Sequence, residues 1–299
     1  MPTATPPRAL EFRRDYYRDP TAREKLNAFA GEIFPGLNFS PWNDLGFEFP
    51  EYVPFSFFDR GRLVANVSAS AMNLFAAGRE VAAVQIGTVA TRPAYRRQGL
   101  IRRLMAKAHV HWAGRRDFFF LFANETTADF YQRFGYRRVQ EHAYRATAPT
   151  FRPPHTPARR LDLSRRADRE LLHRLAERRI AVSARLGVHH QSWLLMFHAA
   201  CVYPSRLFYL EEFDLAAIAA VDGDMLRLID LVGERIPTLE EIYPSLGAPA
   251  VKTIEFGFMP DRLRVDPLNV VPAPDSLVFV RGDFPLEGEP FQFPLTSQA

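Results

Sequence analysis

The apolar positions change period along the chain. Over LIRRLMAKAHVHW, residues 100–112, Leu100, Leu104, Ala108 and Trp112 recur on one helical face while Arg102, Arg103 and Lys107 occupy another. That spacing predicts an amphipathic helix. Just before it, EVAAVQIGTVA at 80–90 is apolar, rich in β-branched residues, and reads as a strand. Upstream, REKLNAFAGEIF predicts a helix, and the run from Tyr52 to Phe75 predicts two strands joined at Asp59-Arg60-Gly61. Downstream, DFFFLFAN reads as a buried strand and TTADFYQRFG as a short helix closed by Gly135. YRRVQEHAYRA reads as one further strand.

TAPTFRPPHTPARR follows, with four prolines in a short span, which is the composition of a linker. The pattern then repeats in outline. Helices are predicted over RELLHRLAERRIAVSARL and SWLLMFHAACV. RLFYLEEF is read as a strand, and two more turn at Asp222-Gly223-Asp224. A helix TLEEIYPSL and strands VKTIEFGFM and DSLVFVRGDF complete the chain. The expected organisation is a first domain over 1–148, a linker over 149–155 and a second domain over 156–299. The two halves share an order of elements without a residue-level repeat.

Composition narrows the class. A chain of 299 residues with 47% hydrophobic and 24% charged positions can bury a sizeable core. Net charge is +4, from 38 basic and 34 acidic side chains, an excess too small to indicate nucleic acid by itself. Cys201 is the single cysteine, which excludes a disulfide framework and a cysteine zinc site. The histidines lack metal-ligand spacing, so no metal is expected. The N-terminus has no apolar signal region and no apolar run spans a bilayer, so the reading is cytoplasmic, with no membrane partner.

The chemistry concentrates at TRPAYRRQGLIRRLM, residues 91–105. Here Pro93 ends a strand, Gly99 lets a ligand approach the backbone, and a helix begins with no acid or capping side chain to occupy its free N–H groups. Such a helix start attracts anions, and Arg96, Arg97, Arg102 and Arg103 add positive charge. The loop suits a pyrophosphate.

Arg96-Arg97-Gln98-Gly99-Leu100-Ile101, preceded by Val89-Ala90-Thr91-Arg92-Pro93, resembles motif A of the GNAT acetyltransferase superfamily. Ile101 stands where that pattern has a small residue; the variant with a larger one resembles the subgroup around the enhanced intracellular survival protein. A second segment, with Asn124, Tyr131, Gly135 and Tyr136, resembles the next family motif in order and spacing. The resemblance covers roughly residues 8–146. It implies an α/β fold with a mixed central sheet flanked by helices, and acetyl-CoA as co-substrate.

It also implies roles. The Val89 N–H would polarise the thioester carbonyl, and Thr91 would pair with pantetheine. Asn124 would bond pantetheine or cap the helix. Tyr131 would protonate the leaving thiolate. Arg96, Arg97, Gln98, Gly99, Leu100, Ile101 and Arg102 would hold the pyrophosphate. No general base is identified, because the mid-strand residue Gln85 cannot serve. The aromatic stretch NFSPWNDLGFEFPEYVPFSFF, with Asp44, Glu48 and Glu51, is expected to form an acceptor pocket for a cationic amine. The second half is expected to be a degenerate GNAT-like domain. Thr238 and Glu241 form a capping box where a second anion site would lie. That half would close one side of the acceptor pocket, with homodimer formation left open. A non-catalytic acyl-CoA-binding protein is the alternative.

Overall fold

Local chemistry sets the first hairpin. Arg60 and Gly61 both take positive φ, 51° and 76°, the geometry of a two-residue turn that matches strand twist. The computed structural model, which describes residues 9–154 and 156–298, thus joins β2 (Pro54–Asp59) to β3 (Arg62–Ala76). β1 (Glu11–Arg14) flanks β2, and β4 (Arg79–Thr91) pairs antiparallel with β3. α1 (Pro20–Ile33) starts at Asp19, whose carboxylate accepts the Thr21 and Ala22 N–H groups. It buries Ala22, Leu26, Phe29 and Ala30. The short α2 (Ser40–Asn43) follows it. α3 (Leu100–Trp112) buries Leu100, Leu104, Met105, Ala108 and Trp112, and carries the chain to β5 (Phe118–Phe122), parallel to β4. α4 (Ala128–Gln132) and β6 (Arg137–Val139) complete this part.

The stretch 136–146 is not one strand. It breaks at Gln140 and Glu141, and β7 (His142–Thr147) enters a second sheet. That sheet also contains β8 (Arg159–Arg160), β10 (Leu207–Leu210), β11 (Leu215–Asp222), β12 (Met225–Val232), β13 (Thr253–Phe256) and β14 (Asn269–Pro272). β9 (Leu186–Val188) attaches instead to the far end of β3. β15 (Val278–Gly282), read as the end of the second domain, lies in the first sheet between β5 and β6.

The two sheets are built alike. The first runs β1-β2-β3-β4-β5-β15-β6 and the second β14-β7-β13-β12-β11-β10-β8. Each has one parallel pair, β4–β5 across α3 and β12–β13 across α7 (Leu239–Leu246). The place that β15 takes in the first sheet is taken in the second by β7. Strands on both sides of the segment 149–155 thus cross between the sheets: β7 enters the second sheet, and β15, like β9, enters the first. The chain crosses at 140–141 and returns through 273–277. Glu141, 4% exposed, fastens both crossings: its carboxylate accepts the Phe293 N–H at 2.7 Å and the Ser276 hydroxyl.

The predicted helix over 169–186 also ends early. α5 (Arg166–Arg178) stops where Arg179 turns into the core and forms a bidentate pair with Asp230 at 2.8 and 3.0 Å. One apolar cluster lies beneath α3. A second is continuous from α1 and α2 into the second half, including α6 (Trp193–Phe197). Among the described residues, no helix is long and apolar enough to cross a membrane.

Candidate active site

The site opens where β4 and β5 part. Their registered pairing runs only from Ala83–Phe118 to Gln85–Phe120, while β4 continues to Thr91. Just beyond the split the β3–β4 ladder slips between Asn66 and Ser68, leaving Thr88 and Val89 in a bulge. Thr88 has φ +48°, a strained conformation for a β-branched residue.

A buried polar chain holds that bulge. The Asn66 amide Nδ2 donates to the Thr88 carbonyl at 2.9 Å and to Ser68 Oγ at 3.1 Å. A carbonyl only accepts, so this contact fixes the amide orientation. Ser68 then donates to the Tyr52 hydroxyl at 2.9 Å, and the Tyr52 and Thr88 hydroxyls are hydrogen-bonded at 3.1 Å. On the other side Asn66 Oδ1 accepts from Ser56 at 2.7 Å, and Ser56 from Tyr16 at 2.5 Å. Ser56, Asn66 and Ser68 are all fully or almost fully buried. None of these residues stood out in the sequence. Polar residues at Ser56 of β2 and at Asn66 and Ser68 of β3 were the available signal, and they have no local meaning.

Val89, Thr88, Asn124 and Tyr131 meet at one cavity of about 320 Å³. Tyr131 is buried among Phe130, Tyr136 and Phe279. Its hydroxyl has no hydrogen-bond partner among the described residues, and burial alone raises its pKa to about 12. It is therefore protonated at neutral pH. Asn124 accepts the Thr127 hydroxyl at 2.8 Å through its side chain and makes no side-chain cap. The rest of the wall is apolar, and α6 of the second half supplies one side of it.

A second, shallower cavity of about 500 Å³ lies at the α3 N-terminus. It brings together Thr91, Arg96, Arg97, Gly99, Leu100, Ile101 and Arg102. Gly99 precedes the helix in the left-handed region, φ +70°, and no side chain caps the helix start. A Cβ built on Gly99 meets no protein atom within 4 Å, so the space in front of it is open. Arg96 Nε donates to the Thr91 carbonyl at 3.2 Å. Gln98 does not line the cavity; its amide folds back onto the Ala94 carbonyl at 3.4 Å. Arg103 lies over the Phe57 ring, 4.4 Å from its centroid, and faces away. Arg133 joins the cavity from beyond α4. Sequence reading missed it, because only the fold brings it opposite Arg102.

Three expectations change. Asp44, Glu48 and Glu51 do not line the inner cavity. Glu48 pairs with Arg18 at 3.7 Å, and the Glu51 carboxyl is pushed up by burial and, to a lesser degree, by Glu177. Gln85 does not face the site. Its amide donates to the Ser297 carbonyl at 2.9 Å, tethering the C-terminal segment, and it does not line the cavity. In the second half, the Thr238 N–H does donate to Glu241 at 2.6 Å, but Arg235, Arg262 and Arg264 surround that helix start and offset the acids there.

A parallel strand pair opens beside a bulge and is joined by an uncapped helix that starts at an arginine-lined cavity. The model of the acetyltransferase (GNAT) domain matches residues 55–139 of the chain. A comparison with curated proteins returned no match. Among solved structures, the chain is similar to a conserved protein of unknown function from Enterococcus faecalis V583, named as a probable N-acyltransferase. The TM-score is 0.60 at 15% identity, covering 91% of this chain and 72% of that one. Eis1 from Mycobacterium abscessus gives 0.58 at 20% identity, covering 91% and 73%. A GCN5-related N-acetyltransferase from Kribbella flavida gives 0.52 at 17%, covering 91% and 71%. At these identities the likeness is one of fold.

Proposed function

We propose that the protein transfers an acetyl group from acetyl-CoA to a primary amine of a small molecule or protein. The observation that carries this is the continuity along the C-terminal end of β4: the Val89 bulge and Tyr131 share one cavity, and the same strand leads through Thr91 to the Gly99 helix start at a second cavity. The spacing leaves the opened β4 edge between them for pantetheine. The pyrophosphate would meet the free N–H groups of the first α3 turn, with Arg96, Arg97, Arg102 and Arg133 about it. Thr91 and Asn124 would hold the pantetheine arm.

The amine nitrogen attacks the thioester carbonyl carbon. The Val89 N–H, outside the ladder register, would meet the developing oxyanion. As the C–N bond forms and the C–S bond breaks, the sulfur takes the Tyr131 phenolic proton. The nitrogen gives up its own proton to solvent, since no carboxylate or imidazole lines the cavity among the described residues. Calorimetry with acetyl-CoA, followed by CoA release in the presence of amines, tests the reading. Tight binding with amine-dependent release is expected. Binding with no release for any amine would favour a non-catalytic acyl-CoA-binding protein.

A further inference from the structure

The inner cavity does not have the chemistry expected of a site for a polycationic acceptor. Its body is built by Phe34 and Leu37 after α1, Trp42 of α2, and Trp193, Leu194 and Phe197 of α6. These side chains hold one another in place. Trp42 stacks on Phe49 at 4.9 Å and 9°, meets Phe197 edge-on at 5.8 Å, and lies 6.3 Å from Trp193. Apart from the indoles, polar side chains enter only at the β4 and α4 walls, as Tyr52, Thr88, Asn124, Thr127 and Tyr131. No acidic side chain reaches it to balance a cation among the described residues.

We propose that the acceptor is a monoamine with an aromatic or otherwise apolar body, such as a phenylalkylamine, and that polyamines and aminosugars are excluded. The inference rests on the proposed acetyl transfer and names its substrate class. A ring buried among these aromatics gains hydrophobic and edge-to-face contact. Each additional ammonium or hydroxyl of a polyamine or aminosugar would instead lose water without a partner. The one cation such a monoamine brings is removed on entry, because an apolar cavity favours the neutral, nucleophilic form. This fits a cavity that carries no base.

The competing occupant is a long acyl tail, and the polar wall argues against it. The chain that starts at Asn66 ends in a hydrogen bond between the Tyr52 and Thr88 hydroxyls. Whichever of the two donates, the Thr88 hydroxyl keeps hydrogen-bonding capacity for whatever fills the cavity. An amine can use it, and a hydrocarbon tail would leave it unused.

The test uses the full chain saturated with CoA, and 2-phenylethylamine, spermidine and glucosamine as probes. Trp42 and Trp193 line the cavity, so intrinsic tryptophan fluorescence reports occupancy without turnover. Only 2-phenylethylamine is expected to give a saturable change. With acetyl-CoA it is expected to show kcat/KM at least about tenfold above the other two. Phe197→Glu, at a half-buried wall position, is expected to lower 2-phenylethylamine binding by about tenfold or more and to admit spermidine. Leu37→Glu repeats the test from the opposite wall should the first variant not fold. Spermidine or glucosamine binding as well as 2-phenylethylamine overturns the proposal, as does no fluorescence change with 2-phenylethylamine. A preference for octanoyl-CoA over acetyl-CoA that Phe197→Glu abolishes assigns the cavity to the acyl tail and also overturns it. If 2-phenylethylamine binds but no amine is acetylated, the transfer reading fails and the cavity assignment stands.

Discussion

Tyr131 brings a phenolic proton to the cavity from a largely buried ring. It is 7% exposed, and its hydroxyl is unpaired among the described residues while facing a cavity. Tyr131→Phe keeps the ring contacts and removes only the proton. We expect kcat to fall about 10²-fold with acetyl-CoA affinity retained. An unimpaired kcat, with chemistry shown to be rate-limiting, would remove Tyr131 from the mechanism. The Asn66 chain acts at the same scale but through other residues. It holds Thr88 at a positive φ that a threonine does not adopt unaided, and so sets where the Val89 N–H points.

At the scale of elements, the proposed anion site lies at the junction of β4 and α3. Gly99 is required there by its backbone angle, while no protein atom contests the space beside it. Gly99→Val therefore adds about 1–2 kcal/mol of local backbone strain and places methyl groups where a pyrophosphate would approach. Acetyl-CoA affinity is expected to drop by at least about tenfold in a folded variant, as read by calorimetry. Unchanged affinity would place the site elsewhere. This junction was legible in the sequence because everything it needs is contiguous: a strand, a proline, a glycine, and a helix start free of acids. The β4–β5 split was legible only as a requirement, since the register that shows it ending at Gln85 depends on a strand thirty residues away.

At the scale of the whole molecule, the crossing strands make the two sheets interdependent, and the second half also walls the inner cavity. It is nonetheless expected to hold no cofactor of its own, because Thr238 and Glu241 consume the N–H groups at the α7 start. Calorimetry should return one acetyl-CoA per chain. A clean value of two would show that the arginines at that helix outweigh its capping box. Glu141, at the crossing between sheets, gives a pH signature. Burial, against its hydrogen bonds to Ser276 and Phe293, raises its carboxyl above the ordinary value of 4.5. Between that value and the raised one the folded chain holds a proton that the unfolded chain has lost, so stability falls as pH rises through this window. Glu141→Gln lacks that proton equilibrium. The melting temperature of the native protein relative to this variant should therefore decline from pH 4.5 upward. A difference independent of pH would mean that Glu141 titrates normally.

By itself the sequence determined the elements whose signals are local: the Asp59-Arg60-Gly61 hairpin, the amphipathic α3, its uncapped start at Gly99, and the two-half order of strands and helices. Tertiary structure alone decided which sheet each strand joined. His142–Thr147 and Val278–Gly282 have the same alternating pattern wherever they pair, so no local reading could reveal that they cross between sheets. It also decided the character of the acceptor cavity. Asp44, Glu48 and Glu51 share a segment with Trp42 and Tyr52, but the chain's path turns the aromatics inward and leaves those carboxylates off the cavity wall. The opposite wall comes from α6, about 150 residues away, and its approach is set by burial of the continuous apolar core rather than by anything in the aromatic segment itself.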